Sequence, residues 1–126
     1  MRIVTHNMLK CNVKGVENGY PLRIEPEKVE IIECEYNEEL VQKLMKKTQL
    51  HALKAAALNL EIDATWLKSA DITVDSILAN ADMLKEMHHL LFEVHVLEGH
   101  LICPESGRRF PIKDGIPNML LHEDEV

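Results

Sequence analysis

Long hydrophobic runs are missing from this chain. No stretch approaches the roughly 18 apolar residues of a membrane span, and Met1-Arg2-Ile3-Val4-Thr5-His6-Asn7 lacks an apolar core of signal-peptide length. Glycine is sparse too: the five, at 15, 19, 99, 107 and 115, never form a G-x-G, so no nucleotide or S-adenosylmethionine loop is encoded. Three cysteines, an odd number widely spaced at Cys11, Cys34 and Cys103, do not make a secreted disulfide framework. Reduced thiols in a cytoplasmic and nuclear protein are expected instead. Positive charge is in short supply, with 14 Lys and Arg against 21 Asp and Glu and a formal charge of -7. A polyphosphate partner would be repelled at long range unless the basic residues clustered, and they do not. The densest group, Lys43, Lys46 and Lys47, reads as a solvated helix face. At 126 residues and 14.4 kDa, one domain with a modest core is the expectation, and a large enzyme core is excluded.

What is present changes character along the chain. Up to about residue 36, short apolar pieces (Ile3-Val4, Met8-Leu9, Leu22-Arg23-Ile24, Val29-Glu30-Ile31) are broken by Gly and Pro, which predicts short strands and loops. Asn37 then offers an N-cap, with Glu38 and Glu39 at the positive end of the helix dipole. Leu40, Val41, Leu44 and Met45 recur at helical spacing, and a second helix is predicted from about Leu50 to Asn59. Glu61 to Thr73 has no clean period, and its Trp66 reads as a core plug. A third helix is expected between Val74 and Leu90. From Leu91 the period changes to two, predicting a hairpin with a turn at Gly99. Arg109–Ile112 and Asn118–Leu121 each suit a short added strand, and Glu123-Asp124-Glu125-Val126 reads as a disordered acidic tail. The fold class is α+β: a discontinuous antiparallel β domain, residues 1–36 plus 91–126, interrupted by a helical insertion, 37–90.

Cys103-Pro104-Glu105-Ser106-Gly107 reads as a zinc knuckle that lacks a ligand, because Ser106 stands where a second thiolate belongs. Cys11 precedes another turn, but the matching position near Val16 is apolar, leaving His6, His100 or Glu105 as substitute ligands. Burial of Cys11 and Cys103 as small apolar side chains is the better account. His88-His89 would point to different sides of a helix, a poor metal clamp, and no His–Asp pairing supports Cys103 as a nucleophile. Binding is better encoded: Gly115-Ile116-Pro117-Asn118-Met119-Leu120-Leu121 puts four large apolar side chains in six residues, and Pro117 directs the segment to a sheet edge. A domain this small cannot easily bury both this segment and Met8-Leu9.

Taken together, Thr5-His6-Asn7-Met8-Leu9, Tyr20-Pro21-Leu22-Arg23, Met87-His88-His89-Leu90-Leu91, Cys103-Pro104-Glu105-Ser106-Gly107 and Phe110-Pro111-Ile112 through Leu121 resemble a known family over nearly the whole chain. It is the small activator subunit shared by several S-adenosylmethionine-dependent methyltransferases that modify tRNA, rRNA and a translation release factor. The resemblance implies a zinc-ribbon-like domain built from both termini, an inserted helical domain, and a stabilising role beside a catalytic subunit that binds S-adenosylmethionine itself. RNA would then be reached only through that partner. In zinc-bearing members four cysteines hold the metal. Cys11 and Cys103 fall on two of those places, whereas Val16 and Ser106 fall on the others, as in metal-free members.

The expectation is therefore a non-catalytic subunit without metal or cofactor of its own, paired with methyltransferases through Thr5, Asn7, Met8, Leu9, Arg109, Phe110, Ile116, Pro117, Asn118, Met119, Leu120 and Leu121. The alternative is a degenerate zinc-ribbon adaptor that binds nucleic acid or a transcription or translation factor directly.

Overall fold

Alternating burial along the C-terminal third builds the sheet that organises the molecule. In a computed structural model, which describes residues 1–62 and 72–125, four antiparallel strands lie in the order β1 (Arg23–Ile31), β2 (Val94–Ile102), β3 (Arg109–Lys113), β4 (Ile116–Pro117). On β3, Phe110 and Ile112 turn inward while Arg109, Pro111 and Lys113 face out. Asp114 and Gly115 both take positive φ, which makes the two-residue turn that pairs Lys113 with Ile116. β4 thus starts two residues earlier than the predicted Asn118–Leu121 strand, and Pro117, unable to donate, sits at the edge as expected.

Gly99 is not a turn. β2 runs straight through it, pairing Gly99 with Pro26 on one side and Ile112 on the other. A Cβ there would lie 2.4 Å from the Glu25 carbonyl oxygen, so the residue is glycine because the β1 backbone passes too close. The register shifts on either side of Lys28 accompany this approach. They let the two predicted pieces around Pro26 merge into one edge strand.

The predicted strand content before residue 22 is replaced by a single helical turn, α1 (Ile3–His6), because Ile3, Val4 and His6 all have to reach the core. Met1 and Arg2 precede it as a short extension of the sheet: the Met1 amine donates to the carbonyls of Val96 and Gly115, Val96 N–H donates back to Met1, and Arg2 bridges His95. The ends of the chain do meet in one sheet.

The helices α2 (Glu38–Met45) and α3 (Leu50–Asn59) lie where periodicity puts them, and Asn37 caps α2 by accepting from Leu40 N–H. The third predicted helix is two, α4 (Val74–Leu78) and α5 (Ala81–His88). Asn80 takes an extended conformation and accepts from Asp82 and Met83 N–H, ending one helix and starting the next. α5 runs into a π-helical turn, His89–Glu93, and β2 begins only at Val94. The wider turn lets three successive apolar residues, Leu90, Leu91 and Phe92, be buried, a run whose period is ambiguous in the sequence. Trp66 lies outside the described residues.

One hydrophobic core joins sheet and helices. Ile24, Val96, Leu101 and Phe110 share it with Val41, Met45, Leu53, Ile77, Leu84 and Met87. Asn59 of α3 accepts from Ile24 N–H at 2.8 Å, fixing that helix on the β1 edge.

Candidate functional site

The open edge of the sheet is the first site to consider. Beyond β4, Asn118 N–H donates to Pro111 and the Asn118 side chain accepts from Leu120 N–H, a local turn that carries the chain off the sheet. Ile116 and Leu120 are left 69% and 79% exposed, while Met119 and Leu121 rest half-buried on the core. Ile116 through Leu120, with Lys113 and Asp114, line an open groove of about 670 Å³. Lys113 and Asp114 were not among the expected contact residues, although their place in the hairpin turn follows from the Asp-Gly signal.

The other predicted contact residues are not all on the surface. Met8, after α1, is exposed, and Thr5 and Leu9 are half-buried, but none of them lines the groove. Phe110 is wholly buried under the Arg108 guanidinium, so it supports the edge from inside and offers no contact of its own. Asn7 is buried as well: its amide donates to the Gln49 carbonyl and accepts from Gln49 N–H, both at 3.0 Å. Arg109 is exposed but engaged with Glu25 at 2.7 Å.

The Cys11–Cys103 corner is a second arrangement. The 103–107 turn closes through Gly107 N–H to the Cys103 carbonyl, and Ser106 N–H donates to Cys103 Sγ at 3.3 Å, as a metal-binding knuckle would. The Glu105 carboxylate accepts from Glu17 and Asn18 N–H, stitching the second loop to the first. Both thiols are buried. Burial pushes the Cys11 thiol up, and its Cys103 neighbour adds to that. Burial also pushes on Cys103, but hydrogen bonds from Ser106 and Glu105 outweigh it and bring that thiol below its ordinary value.

A closed zinc site needs four ligands. Val16 packs its side chain on the core, Ser106 Oγ accepts from Arg108 N–H, and the Glu105 carboxylate is already committed to two amides. Among the described residues neither His6 nor His100 brings a ring nitrogen into a ligand group with the two thiols, so two thiols remain, and this donor set does not fit the metal. No imidazole among the described residues acts on the Cys103 thiol, whose neighbours include Ser106, Glu105 and Cys11.

The acidic tail is tied to the body of the molecule at Glu125. Glu123–Glu125 forms a short turn, and the half-buried Glu125 carboxylate takes Arg108 Nε at 2.6 Å and also accepts from His122 N–H. The guanidinium holds the Glu125 carboxyl below its usual range. The expectation of a disordered tail fails at this residue because Arg108, stacked on Phe110, stands ready to receive it.

An apolar segment left exposed at an open sheet edge defines a protein-binding subunit. The chain belongs to the Trm112p-like protein family, whose model matches residues 3–115. It is 45% identical over 126 residues to multifunctional methyltransferase subunit TRM112 homolog A of Arabidopsis thaliana, with all of both chains covered. It is 42% identical to the TRM112-like subunit of Bos taurus, covering all of this chain and 98% of the other. Its fold is similar to a chain of the E. cuniculi Mtq2-Trm112 complex, a complex that methylates the eRF1 translation termination factor, at 23% identity and a TM-score of 0.60 over 95% of each chain.

Proposed function

We propose that this chain is a non-catalytic subunit that activates and stabilises several S-adenosylmethionine-dependent methyltransferases acting on tRNA, rRNA and a translation release factor. The observation that carries the proposal is the exposed apolar segment Ile116–Leu120 at the end of the sheet. The chain's relatives are named as multifunctional methyltransferase subunits, which supports the reading that one shared surface serves several catalytic chains.

The edge strand and the segment after it would add to a partner's sheet, with backbone hydrogen bonds giving affinity and Ile116, Met119 and Leu120 covering an apolar patch. Burying roughly 400 Å² of apolar surface on this side gives ~10 kcal/mol of gross gain. Association entropy offsets much of it. The remainder stabilises the partner by mass action. S-adenosylmethionine and RNA belong to the partner in this reading, the Cys11–Cys103 corner works by packing without metal, and residence is cytoplasmic and nuclear, where such substrates are.

The proposal keeps two structural parts, a β unit of residues 1–36 with 91–126 and a helical unit of 37–90; its support is that all four strands come from the first set. The test is the double substitution Ile116→Glu, Leu120→Glu, at the two exposed side chains of the segment, followed by co-purification of a tagged chain with methyltransferase subunits. Loss of the complex with unchanged thermal stability is expected; an undiminished yield would remove this segment as the interface.

A further inference from the structure

Away from both arrangements, the π-helical turn brings three different donor groups to one point. Cys34 Sγ lies 3.6 Å from His88 Nε2, His88 Nε2 lies 3.7 Å from Glu93 Oε2, and all three donor atoms fall within 4.8 Å of one another. A tetrahedral zinc ion, with bonds of about 2.3 Å to sulfur and about 2.0 Å to nitrogen or oxygen, requires donor separations of about 3.3 to 3.6 Å. The cluster is within a few tenths of an ångström of that on the two edges that meet at the imidazole.

These groups do not form a catalytic triad. In a triad the acid holds one ring nitrogen and the nucleophile the other. Here thiol and carboxylate both approach Nε2, the convergence a ligand set needs.

The support around them is also in place. The Glu93 carboxylate accepts from Cys34 N–H at 3.0 Å through one oxygen and contacts His89 Nδ1 at 2.8 Å through the other, so its direction is fixed before any ion arrives. His88 and His89 thus converge on one carboxylate, contrary to their expected divergence, because a π-helical turn separates them from Glu93. The His88 ring is held edge-on by Tyr36 and flanked by Phe92. A cavity of about 160 Å³, lined by Cys34 and His88 together with Arg2, Asn37, Leu40 and Phe92, gives solvent a way to a fourth coordination position.

We propose that Cys34, His88 and Glu93 form a binding site for a zinc-class divalent transition ion, with water in the fourth position. Thiolate, imidazole and carboxylate together suit zinc and not the oxygen-seeking magnesium or calcium. On binding, the Cys34 thiol proton goes to solvent. The His88 ring, whose Nε2 otherwise faces the Cys34 carbonyl at 3.2 Å, carries its proton on Nδ1 so that Nε2 can bond the ion.

The full-length reduced chain, freed of metal by chelation, is titrated with Co²⁺. One equivalent should saturate a thiolate-to-cobalt charge-transfer band that Cys34→Ser abolishes. His89→Ala, at a half-exposed side chain, should weaken binding about tenfold by releasing the carboxylate. Independently, Cys34 is exposed whereas Cys11 and Cys103 are buried, so iodoacetamide modifies Cys34 first, and one equivalent of Zn²⁺ should slow that modification at least about tenfold. Absence of the band, its survival in Cys34→Ser, or an alkylation rate indifferent to Zn²⁺ would each overturn the site. Survival in Cys34→Ser would place the ion at Cys11 and Cys103 instead.

Discussion

His6 carries a pH dependence that the sequence does not announce. Its Nε2 lies 2.7 Å from the Leu22 carbonyl, its Nδ1 is buried without a partner among the described residues, and the residue is wholly inaccessible. Burial lowers its proton affinity below the ordinary value of 6.5 and outweighs the Leu22 carbonyl, which acts to raise it. The unfolded chain therefore binds more protons than the folded one below pH 6.5. Stability should be full above that pH and fall as pH drops toward the depressed folded value, at up to about 1.4 kcal/mol per pH unit for one proton. Urea midpoints between pH 7.5 and 5.5 measure the slope, and His6→Leu should flatten it while lowering the plateau, because the Leu22 carbonyl is left without its imidazole. Glu25, Glu93 and Glu125, all held below 4.5 by hydrogen bonds, contribute only in a more acidic window. Residue types at the Cys11–Cys103 corner were legible because ligand spacing is local. The Cys34, His88 and Glu93 cluster was not, because it depends on a turn of unusual width between α5 and β2.

At the level of elements, legibility followed local signals. α2 and α3 are marked by a cap and by alanine-rich periodicity, so they needed no tertiary knowledge. α1 is too short for a period to show, and Gly99 carries a turn signal although the demand on it comes from the β1 backbone across the sheet. Asn7 illustrates the same limit: as part of a Thr5–Leu9 surface it looked like a contact residue, yet it ties α1 to the start of α3 by using both halves of its amide on Gln49. Asn7→Ala should cost about 2 kcal/mol, since two backbone groups of Gln49 would go without a partner. Chemical denaturation gives that figure. Partner affinity per folded molecule should stay unchanged, the opposite pattern to Leu120→Glu, which should spare stability and reduce affinity. A large affinity loss in Asn7→Ala at saturating folded fraction would return Asn7 to the interface.

Over the whole molecule, the charge of -7 and the placement of its few cations bear on the proposal that RNA is met only through a partner. Arg108 and Arg109 are neutralised by Glu125 and Glu25, while Lys43, Lys46 and Lys47 are exposed on and just after α2. If this lysine group neutralised RNA phosphates in a methyltransferase complex, replacing all three by Ala would reduce the slope of log affinity against log salt by about 0.7 for each single-strand phosphate set free, roughly two in all. On the reading that the partner alone holds the RNA, the slope should not change, and the isolated chain should show no RNA binding at physiological salt. Filter binding of the complex and of the free chain across a salt series decides it. A slope that falls by about two with the triple substitution would mean that this subunit contributes to the RNA surface despite its net charge, through a local cationic face that a formal sum conceals.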